Sequence, residues 1–370
     1  MITVSMQHHM LQRLAICLKR PAALVVSTAL LLSACATPPA ATPTTVGSRP
    51  IAPSQASSVA APKEQDSFGT LVSQQARLYR VAAPLLTKNT GLCKGYARNL
   101  IGFSAKNKYS YPAEYRTAAQ KLLGLDEQLQ ITQVLADSGA AQKGLQVGDK
   151  LLSVNEKPFP QGQNAERQAA EILMPLVINR PNIKLSITRE GKTIPLNIPL
   201  TRACAFAVEL GNLDNVNAYA DGRRILITRG MMNYVQNDDE LAYVLAKEIA
   251  HNTLNHAKKQ KMNAAIGGVI DNLISNQPDL TSMNGTAGIK PYPQNMDTSA
   301  DSLALYMAAR AGYSVDKLIP FWQRLTSQYP ATVLNGYTAL HPATASRIAA
   351  MEKTLSDIKL KQEGNKPLLP

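Results

Sequence analysis

The segment "LAYVLAKEIAHNTLNH", Leu241 to His256, predicts an amphipathic helix that carries several ionisable side chains. Lys247 and His251 are four residues apart, so their side chains lie on the same face of such a helix. Glu248 stands between them, whereas His256, five residues beyond His251, points well around the helix from that face. Because a glutamate three residues before a histidine is commonplace, this segment needs support from the rest of the chain.

Two short strands are predicted directly before this helix. The stretches "VNAYA" and "RILIT" are short and are separated by an Asp-Gly turn. Asp238 or Asp239 can cap the following helix, which is then predicted to begin at Glu240.

The N-terminus has the order of features typical of an export signal. Basic residues precede the apolar run "AALVVSTALLL", which is too short to span a bilayer comfortably. The run ends in "LSAC", which resembles a bacterial lipobox, where small residues precede a cysteine that becomes lipidated. We predict a signal peptide at residues 1–34 and a lipid anchor on Cys35, and Ala36 after the cysteine favours the outer membrane by the same resemblance. The alternative is an ordinary signal peptide with a chance cysteine.

Composition changes after the cysteine. Residues 35–66 are mostly Pro, Ala, Ser and Thr with almost no large apolar side chains, which predicts a flexible, lipid-anchored tether. A tether of this length has a typical reach of roughly 30 Å.

The charge balance argues against nucleic acid as a partner. The formal net charge of +13 falls by three, to +10, when Arg13, Lys19 and Arg20 leave with the signal peptide. The remaining basic residues are scattered and aromatic residues make up only 5% of the chain, so neither a basic stripe nor a stacking surface is indicated. Attraction to anionic surfaces of the cell envelope is the simpler interpretation.

Two cysteines remain in the predicted mature chain, because Cys17 leaves with the signal and Cys35 is the lipid site. Cys93 and Cys204 would then form a single pair in an oxidising compartment, and we predict a disulfide between them. The alternative is two buried thiols.

The segment "ITQVLADSGAAQKGLQVGDKLLSVNEKPF", residues 131–159, predicts strand, turn, short helix and strand. Two alternating strands joined by "REGK" follow. The pattern resembles a PDZ domain of the bacterial protease type over residues 110–202, and such domains capture an extended peptide, usually a C-terminus, as an added strand. The candidate carboxylate-binding loop is Leu123, Gly124 and Leu125. A PDZ fold with a blocked groove is the alternative.

Residues 67–109 include "SFGTLVSQQARLYRVAAPLL", which predicts an amphipathic helix. We expect this helix to belong to the same unit as the chain after Cys204, so that the PDZ domain is inserted into a discontinuous domain. Cys93 and Cys204 would then close the neck of the insertion.

Four spaced patterns in residues 203–358 resemble one family. They are "NAYADG…ILITRGMM", "DDELAYVLAKEIAH", "DTSADSLALYMAARAGY" and "HPATASRI". In this order they resemble the HtpX-like, CaaX-prenyl-protease-type gluzincins, metallopeptidase family forty-eight, and PDZ-bearing lipoprotein members match the whole mature layout. The resemblance implies an α+β fold, with a mainly helical gluzincin domain that has a small β-sheet, an inserted β-rich PDZ domain, and a tail at residues 359–370.

The resemblance also implies a zinc site for protein hydrolysis. His251 would be a zinc ligand, Glu248 the general base, Asp297 the acidic ligand and Asp301 its neighbour one turn on, with His341 close to the metal. The strand expected to pair with the substrate backbone contains Asn217, Ala218, Tyr219 and Ala220.

The family pattern is broken at Lys247, which stands where the first zinc-ligand histidine is expected. An ammonium group has three donors and no lone pair, so it cannot bind zinc unless it first loses a proton. Asp297 in place of glutamate is a milder change, because the carboxylate is kept. We expect zinc to be bound weakly or not at all, with Lys247 protonated and paired with Asp297.

Three functions follow from these patterns. The first is a catalytically impaired envelope lipoprotein that binds unfolded or envelope proteins and peptide C-termini through its PDZ groove and faces the periplasm. The second is an active zinc metalloendopeptidase that uses His251, Asp297 and His341. The third is a purely structural lipoprotein.

Overall fold

The computed structural model describes residues 61–275, 278–279, 288–330 and 336–370. The predicted signal peptide, Cys35 and most of the predicted tether lie outside the described residues. The first helix begins at Ala61, so the last six residues of the predicted tether belong to it. Within the described ranges, no helix is both long and apolar enough to cross a bilayer.

The described helices are α1 Ala61–Lys88, α2 Arg116–Leu123, α3 Gly139–Gln142, α4 Ala165–Asn179, α5 Arg229–Tyr234, α6 Asp238–Thr253, α7 His256–Lys259, α8 Asn263–Leu273, α9 Gln294–Arg310, α10 Leu318–Gln328, α11 Gly336–Leu340 and α12 Ala345–Glu363. The described strands are β1 Ala97–Leu100, β2 Phe103–Lys106, β3 Gln130–Val134, β4 Lys150–Val154, β5 Lys157–Pro158, β6 Asn182–Arg189, β7 Lys192–Pro199, β8 Thr201–Cys204, β9 Ala207–Gly211, β10 Ala218–Ala220 and β11 Arg224–Thr228.

The PDZ domain is built on an antiparallel sheet in the order β2-β3-β4-β6-β7, with β5 paired to β4. The alternating apolar residues of β6, Ile183, Leu185 and Ile187, are fully buried, and the apolar face of α4 covers the same core. The sheet begins at β2, seven residues before the start predicted at residue 110, because β2 pairs with β3.

A two-stranded neck joins this domain to the rest of the chain. Strand β1 pairs antiparallel with β8, so that Leu100 lies opposite Thr201 where the chain enters and leaves the insertion. Cys93 and Cys204 form a disulfide with a Cα–Cα distance of 5.9 Å. The predicted disulfide is therefore confirmed.

The second unit is mainly helical, and its sheet has the order β10-β11-β9. Helix α1 packs on this unit through Leu78, Val81 and Leu85, which are fully buried in the same core as α6 and α9. The first helix and the chain after Cys204 thus share one hydrophobic core, with the PDZ domain inserted between them. This confirms the predicted α+β fold.

Helix α6 begins and ends at points that the sequence pattern did not identify. Its cap is Asn237, whose side-chain oxygen accepts a hydrogen bond from the amide of Glu240, so the helix starts at Asp238 rather than Glu240. Three acidic residues in the first turn favour the positive end of the helix dipole. The helix ends at Thr253, and Asn255 turns the chain with φ of 59° in the left-handed region.

Candidate functional site

Helices α6 and α9 pack side by side and bring their ionisable residues together. Lys247, Glu248 and His251 come from α6, and Asp297 and Asp301 lie one turn apart on α9. His341 follows α11, and Arg347 lies in the first turn of α12. All seven residues are at most 1% exposed, so the cluster has almost no contact with solvent.

Lys247 occupies the centre of this cluster. Its Nζ donates to Asp301 Oδ1 at 2.7 Å and lies 3.3 Å from Asp297 Oδ1. The nearest carboxylate is therefore that of Asp301, whereas the sequence led us to expect Asp297. The lysine side chain is long enough to reach past Asp297 to the acid one turn further along α9.

Asp297 lies between two histidines. His341 Nδ1 donates to Asp297 Oδ1 at 2.7 Å, and His251 Nε2 lies 3.4 Å from the same oxygen. Within the described part of the chain, the buried His251 Nε2 atom has no hydrogen-bond partner. The ring of His251 therefore faces the acid with a nitrogen that none of these residues satisfies.

Glu248 lies on the far side of this group. Its Oε1 accepts a hydrogen bond from the hydroxyl of Tyr337 at 3.4 Å and lies 3.8 Å from His341 Nε2. Burial raises the pKa of Glu248 to about 8, although the charge of Lys247 acts in the opposite direction. The carboxyl is therefore mostly protonated at neutral pH.

The other ionisable groups respond to burial and to the cations beside them. Burial alone would raise the pKa of Asp297, but Lys247 and His341 hold it well below its usual range. The pKa of Asp301 is also lowered, since Lys247 and Arg347 outweigh the effect of burial. Burial lowers the pKa of His251 to about 4, which leaves its imidazole neutral.

His256 belongs to the cluster, contrary to the direction assigned to it from helical spacing. Its Nδ1 lies 3.0 Å from His251 Nδ1, and Tyr292 stacks on the His251 ring with centroids 4.4 Å apart. The helix was assumed to continue, but the left-handed turn at Asn255 folds His256 back onto His251. An Asn two residues after the last helical residue is a recognisable stop signal and was available in the sequence.

Arg347, Tyr243 and Trp322 are further members that the sequence patterns did not single out. Arg347 Nε donates to Asp301 Oδ2 at 2.7 Å, and the hydroxyl of Tyr243 donates to Asp301 Oδ1 at 2.9 Å. Trp322 Nε1 in turn donates to the hydroxyl of Tyr243 at 2.8 Å. Arg347 is the arginine of "HPATASRI", so that pattern contained the signal.

The donor set can be tested against a zinc ion from its own geometry. His251, Asp297 and His341 each offer one ligand atom, and these atoms lie within 4.8 Å of one another. However, Asp297 Oδ1 already accepts from His341 and faces the ammonium of Lys247 at 3.3 Å. With a cation in the place of the first ligand and the carboxylate oxygen occupied, the residues present do not fit a catalytic zinc ion.

The predicted substrate strand lies at an edge of its sheet. β10, Ala218–Ala220, pairs only with β11 within the described part of the chain. Asn217, directly before it, donates from Nδ2 to the hydroxyl of Tyr219 at 2.7 Å. Asn217, Ala218, Tyr219 and Ala220 are at most 3% exposed, and Tyr219 packs in one cluster with the apolar residues of α8.

The predicted carboxylate-binding loop of the PDZ domain instead forms the end of α2 and packs near α1. The amides of Gly124 and Leu125 donate to the carbonyls of Gln120 and Ala119 and so close the end of α2. Leu125, only 1% exposed, packs in a cluster with Phe68 of α1, and Leu123 borders that cluster. These amides are occupied within the helix cap, so they are not free for a carboxylate.

The edge strand of the PDZ sheet is instead β2, because β3 lies between β2 and β4. The loop that leads into β2 is Leu100, Ile101 and Gly102, and Gly102 has a φ of 79°. A glycine is needed here, because a Cβ would come within 2.7 Å of Ser138. The signal for this loop was "LIGF", apolar residues around a glycine directly before a strand.

Comparison with known proteins gives two family matches. The model of peptidase family M48 matches residues 193–355, and the model of the PDZ domain matches residues 94–178.

Individual relatives are similar over part of the chain. The chain is 28% identical over 139 residues to the beta-barrel assembly-enhancing protease of Yersinia pestis, and the aligned region covers 33% of this chain and 29% of that protein. It is 26% identical over 159 residues to the protein of the same name from Escherichia coli K12, with coverage of 37% and 32%. It is 24% identical over 149 residues to the mitochondrial metalloendopeptidase OMA1 of Schizosaccharomyces pombe, with coverage of 38% and 44%.

These similarities are partial in length. The aligned regions span about a third of the two bacterial proteases and less than half of OMA1. The peptidase family match begins within β7 and includes every element that contributes a residue to the buried cluster. Residues 193–355 therefore belong to peptidase family M48, and the chain combines this unit with a PDZ domain.

Proposed function

We propose that this chain is a PDZ-containing lipoprotein of the cell envelope that binds proteins and peptide C-termini and hydrolyses them little or not at all. Peptidase family M48 consists of zinc metallopeptidases, and this chain departs from their pattern at Lys247. The observation that carries it is the bond from Lys247 Nζ to Asp301, made with no solvent exposure at the position of the first metal ligand.

The chemistry of hydrolysis supports the same proposal. In a zinc peptidase the ion supplies an acidified water, and the neighbouring glutamate accepts its proton. Glu248 would take the role of that base, but the ammonium of Lys247 occupies the position of the ion's first ligand, so no acidified water would be held beside Glu248. The proposed substrate strand β10 is also covered by apolar residues of α8 in the described part of the chain. Neither an acidified water nor an open edge is then ready for a substrate.

Binding is assigned to the PDZ domain. Strand β2 lies at one end of the sheet beside a cavity of about 390 Å³ that residues of α1 also line, and we propose that an extended peptide adds to β2 there as a further strand. We propose the loop of Leu100, Ile101 and Gly102 as the site of the peptide carboxylate, in place of Leu123, Gly124 and Leu125. The names of the bacterial relatives refer to β-barrel assembly, which suggests proteins of the envelope as partners for this chain.

The location is proposed from the N-terminal sequence. Lipidation of Cys35 would hold the protein at the periplasmic face of the outer membrane, and residues 36–60 would separate the anchor from α1. Replacing Cys35 with serine should release the protein from membranes, and continued sedimentation with membranes at high salt would exclude a lipid anchor.

The enzymatic part is tested by metal analysis and by digestion of an unfolded protein substrate. We expect less than stoichiometric zinc in the native protein and no difference between it and Glu248→Gln in the digestion assay. Stoichiometric zinc, with hydrolysis lost in Glu248→Gln and on chelation, would refute the proposal.

The binding part is tested with peptides that have an apolar C-terminus. We expect a free carboxylate to bind more tightly than the matched C-terminal amide, and Gly102→Val to abolish the difference. Leu123→Ser, which leaves the Gly102 loop unchanged, is the matched control. Equal failure of both peptides to bind would favour the purely structural function.

An active zinc metalloendopeptidase is the second candidate. The observation that favours it is the grouping of His251, Asp297 and His341, whose donor atoms lie within 4.8 Å. His341→Ala separates the two candidates, since it should abolish zinc binding and hydrolysis in an active enzyme, whereas in an impaired one the zinc content and the digestion of substrate should stay as low as in the native protein.

A further inference from the structure

Asp301 is saturated by donors from three directions. Its Oδ1 accepts from Lys247 Nζ at 2.7 Å, from the hydroxyl of Tyr243 at 2.9 Å and from Arg347 Nη2 at 3.1 Å. Its Oδ2 accepts from Arg347 Nε at 2.7 Å. A carboxylate offers about four acceptor positions, so the lysine is one member of a complete set.

Trp322 forms one wall of the same cluster. The Nζ of Lys247 lies 5.0 Å from the centroid of its ring, and the guanidinium carbon of Arg347 lies 4.9 Å from it. Both cations are therefore within range of a cation–π attraction that is strongest in the absence of water. The indole is fully buried and is held by its hydrogen bond to Tyr243.

The four side chains that form ion pairs around Asp297 and Asp301 balance in charge without a metal ion. Lys247 and Arg347 are positive, and Asp297 and Asp301 are negative. A divalent cation beside Asp297 would leave an uncompensated buried charge next to the ammonium. Removal of the ammonium alone would leave the two carboxylates with one cation, which is costly in a buried site.

We propose that the ammonium group of Lys247 takes the structural place of a metal ion and joins α6, α9 and α12, so that the folded protein needs no metal. The three helices meet at Asp301 through Lys247 of α6 and Arg347 of α12. This inference goes beyond the proposed function, because it concerns the stability of the peptidase unit and is independent of peptide binding by the PDZ domain.

The first test compares Lys247→Met with Lys359→Met in the full mature chain. Lys359 pairs with Asp316 at 2.9 Å, but both side chains are more than half exposed, so it is a matched control for loss of an ion pair. We expect the thermal midpoint to fall by roughly 10 °C or more in Lys247→Met and by about 2 °C or less in Lys359→Met. Equal small shifts in the two variants would overturn the proposal.

The second test uses the native protein alone and does not depend on the folding of a variant. Its thermal midpoint should be the same, within about 1 °C, in EDTA and in excess zinc, since a ligand shifts stability only if it binds the folded state. A midpoint that falls by several degrees in EDTA would show that a metal is part of the fold and would overturn the proposal. Absence of peptide binding would not affect either test, so failure of the proposed function can be distinguished.

The charge itself is tested with Lys247→Arg and with the pair Lys247→Met and Asp301→Asn. Arginine keeps the cation and should lose less stability than methionine. The double variant should lose less than the sum of the two single variants, because each single change leaves a buried charge without its partner. Additive losses in the double variant would contradict a direct pairing.

Discussion

At the scale of single residues, position 247 shows how one side chain alters the chemistry of a buried site. Lys247 donates to Asp301 and approaches Asp297, whereas a histidine there could give one ring nitrogen to Asp301 and direct the other at a metal. The acceptor needed to orient such a histidine is therefore still present.

We predict that Lys247→His gains zinc-dependent stability. Asp301 can hold the new ring, and His251 Nε2 has no hydrogen-bond partner among the residues that the structure describes. With free zinc at a hundred times the dissociation constant, the free energy of unfolding should rise by about 2.7 kcal/mol. Denaturant unfolding with and without zinc measures this, with the native protein as the control. No zinc effect in the variant would mean that the remaining donors cannot form a site.

A second residue-scale prediction concerns Glu209 in β9, which is 3% exposed. Burial raises its pKa from 4.5 to about 7, although Arg224 opposes the shift. Because the folded state favours the protonated form, the contribution of Glu209 to stability is intact below pH 4.5 and is lost as the pH rises through 7. As the pH rises from 5 to 8, the free energy of unfolding of Glu209→Gln should therefore increase relative to that of the native protein, by at most roughly 3 kcal/mol.

Denaturant unfolding at the two pH values checks this, and Glu352→Gln, at an exposed position of α12, is the control for removal of a surface carboxylate. If the difference in unfolding free energy between Glu209→Gln and the native protein were the same at both pH values, the raised pKa assigned to Glu209 would be wrong.

The sequence identified most of the buried cluster but not its pairing. Helical spacing placed Glu248 and His251 beside Lys247, and the resemblance of "DTSADSLALYMAARAGY" to the family pattern implied that Asp297 and Asp301 lie near them. It could not decide which carboxylate the lysine reaches, because the length and rotamer of a lysine side chain are set by the packing around it. His256 was assigned to the wrong direction because a helix was assumed to continue through Asn255.

At the scale of elements, the structure differs from the sequence-based predictions mainly at the ends of helices and in the order of strands. Alternating apolar residues predicted β6 and β7 well, since one face of β6 is buried and the matching face of β7 is buried or half-buried. Strand β2 was not predicted, because four residues are too few for a periodic signal. The loop proposed for peptide carboxylates was consequently placed before β3, an inner strand.

We predict that Asn237→Ala destabilises the protein by about 1 kcal/mol, because the amide of Glu240 loses its capping acceptor. Asn237→Ser should keep most of the stability, since serine also accepts at this position. Urea denaturation of the two variants measures the difference. An equal loss in both would assign the effect to something other than the cap.

At the scale of the whole molecule, the two units are connected through the neck of β1, β8 and the disulfide. The bridge joins residues separated by 111 positions, so it restricts a long loop in the unfolded chain. The amphipathic helix predicted before Cys93 and the position of the two cysteines on either side of the PDZ segment allowed this insertion to be predicted from the sequence. The packing of α2 against α1 was not predicted, because it depends on contacts between distant residues.

We predict that replacement of both Cys93 and Cys204 by alanine lowers the free energy of unfolding by about 4 kcal/mol. Denaturant unfolding should give the same loss for the native protein after reduction, which serves as the control. A variant as stable as the oxidised protein would mean that the folded neck is held by its strand pairing alone.

The geometry of the neck also bears on how such a chain is assembled in evolution. Leu100 and Thr201 lie opposite each other on paired strands, so a hundred residues enter and leave the peptidase unit at one point. A tight turn could join these two strands directly, and the fold of the helical unit would be unchanged. A recognition module can therefore be gained, exchanged or lost at this position as a single genetic event, while the surrounding scaffold is preserved.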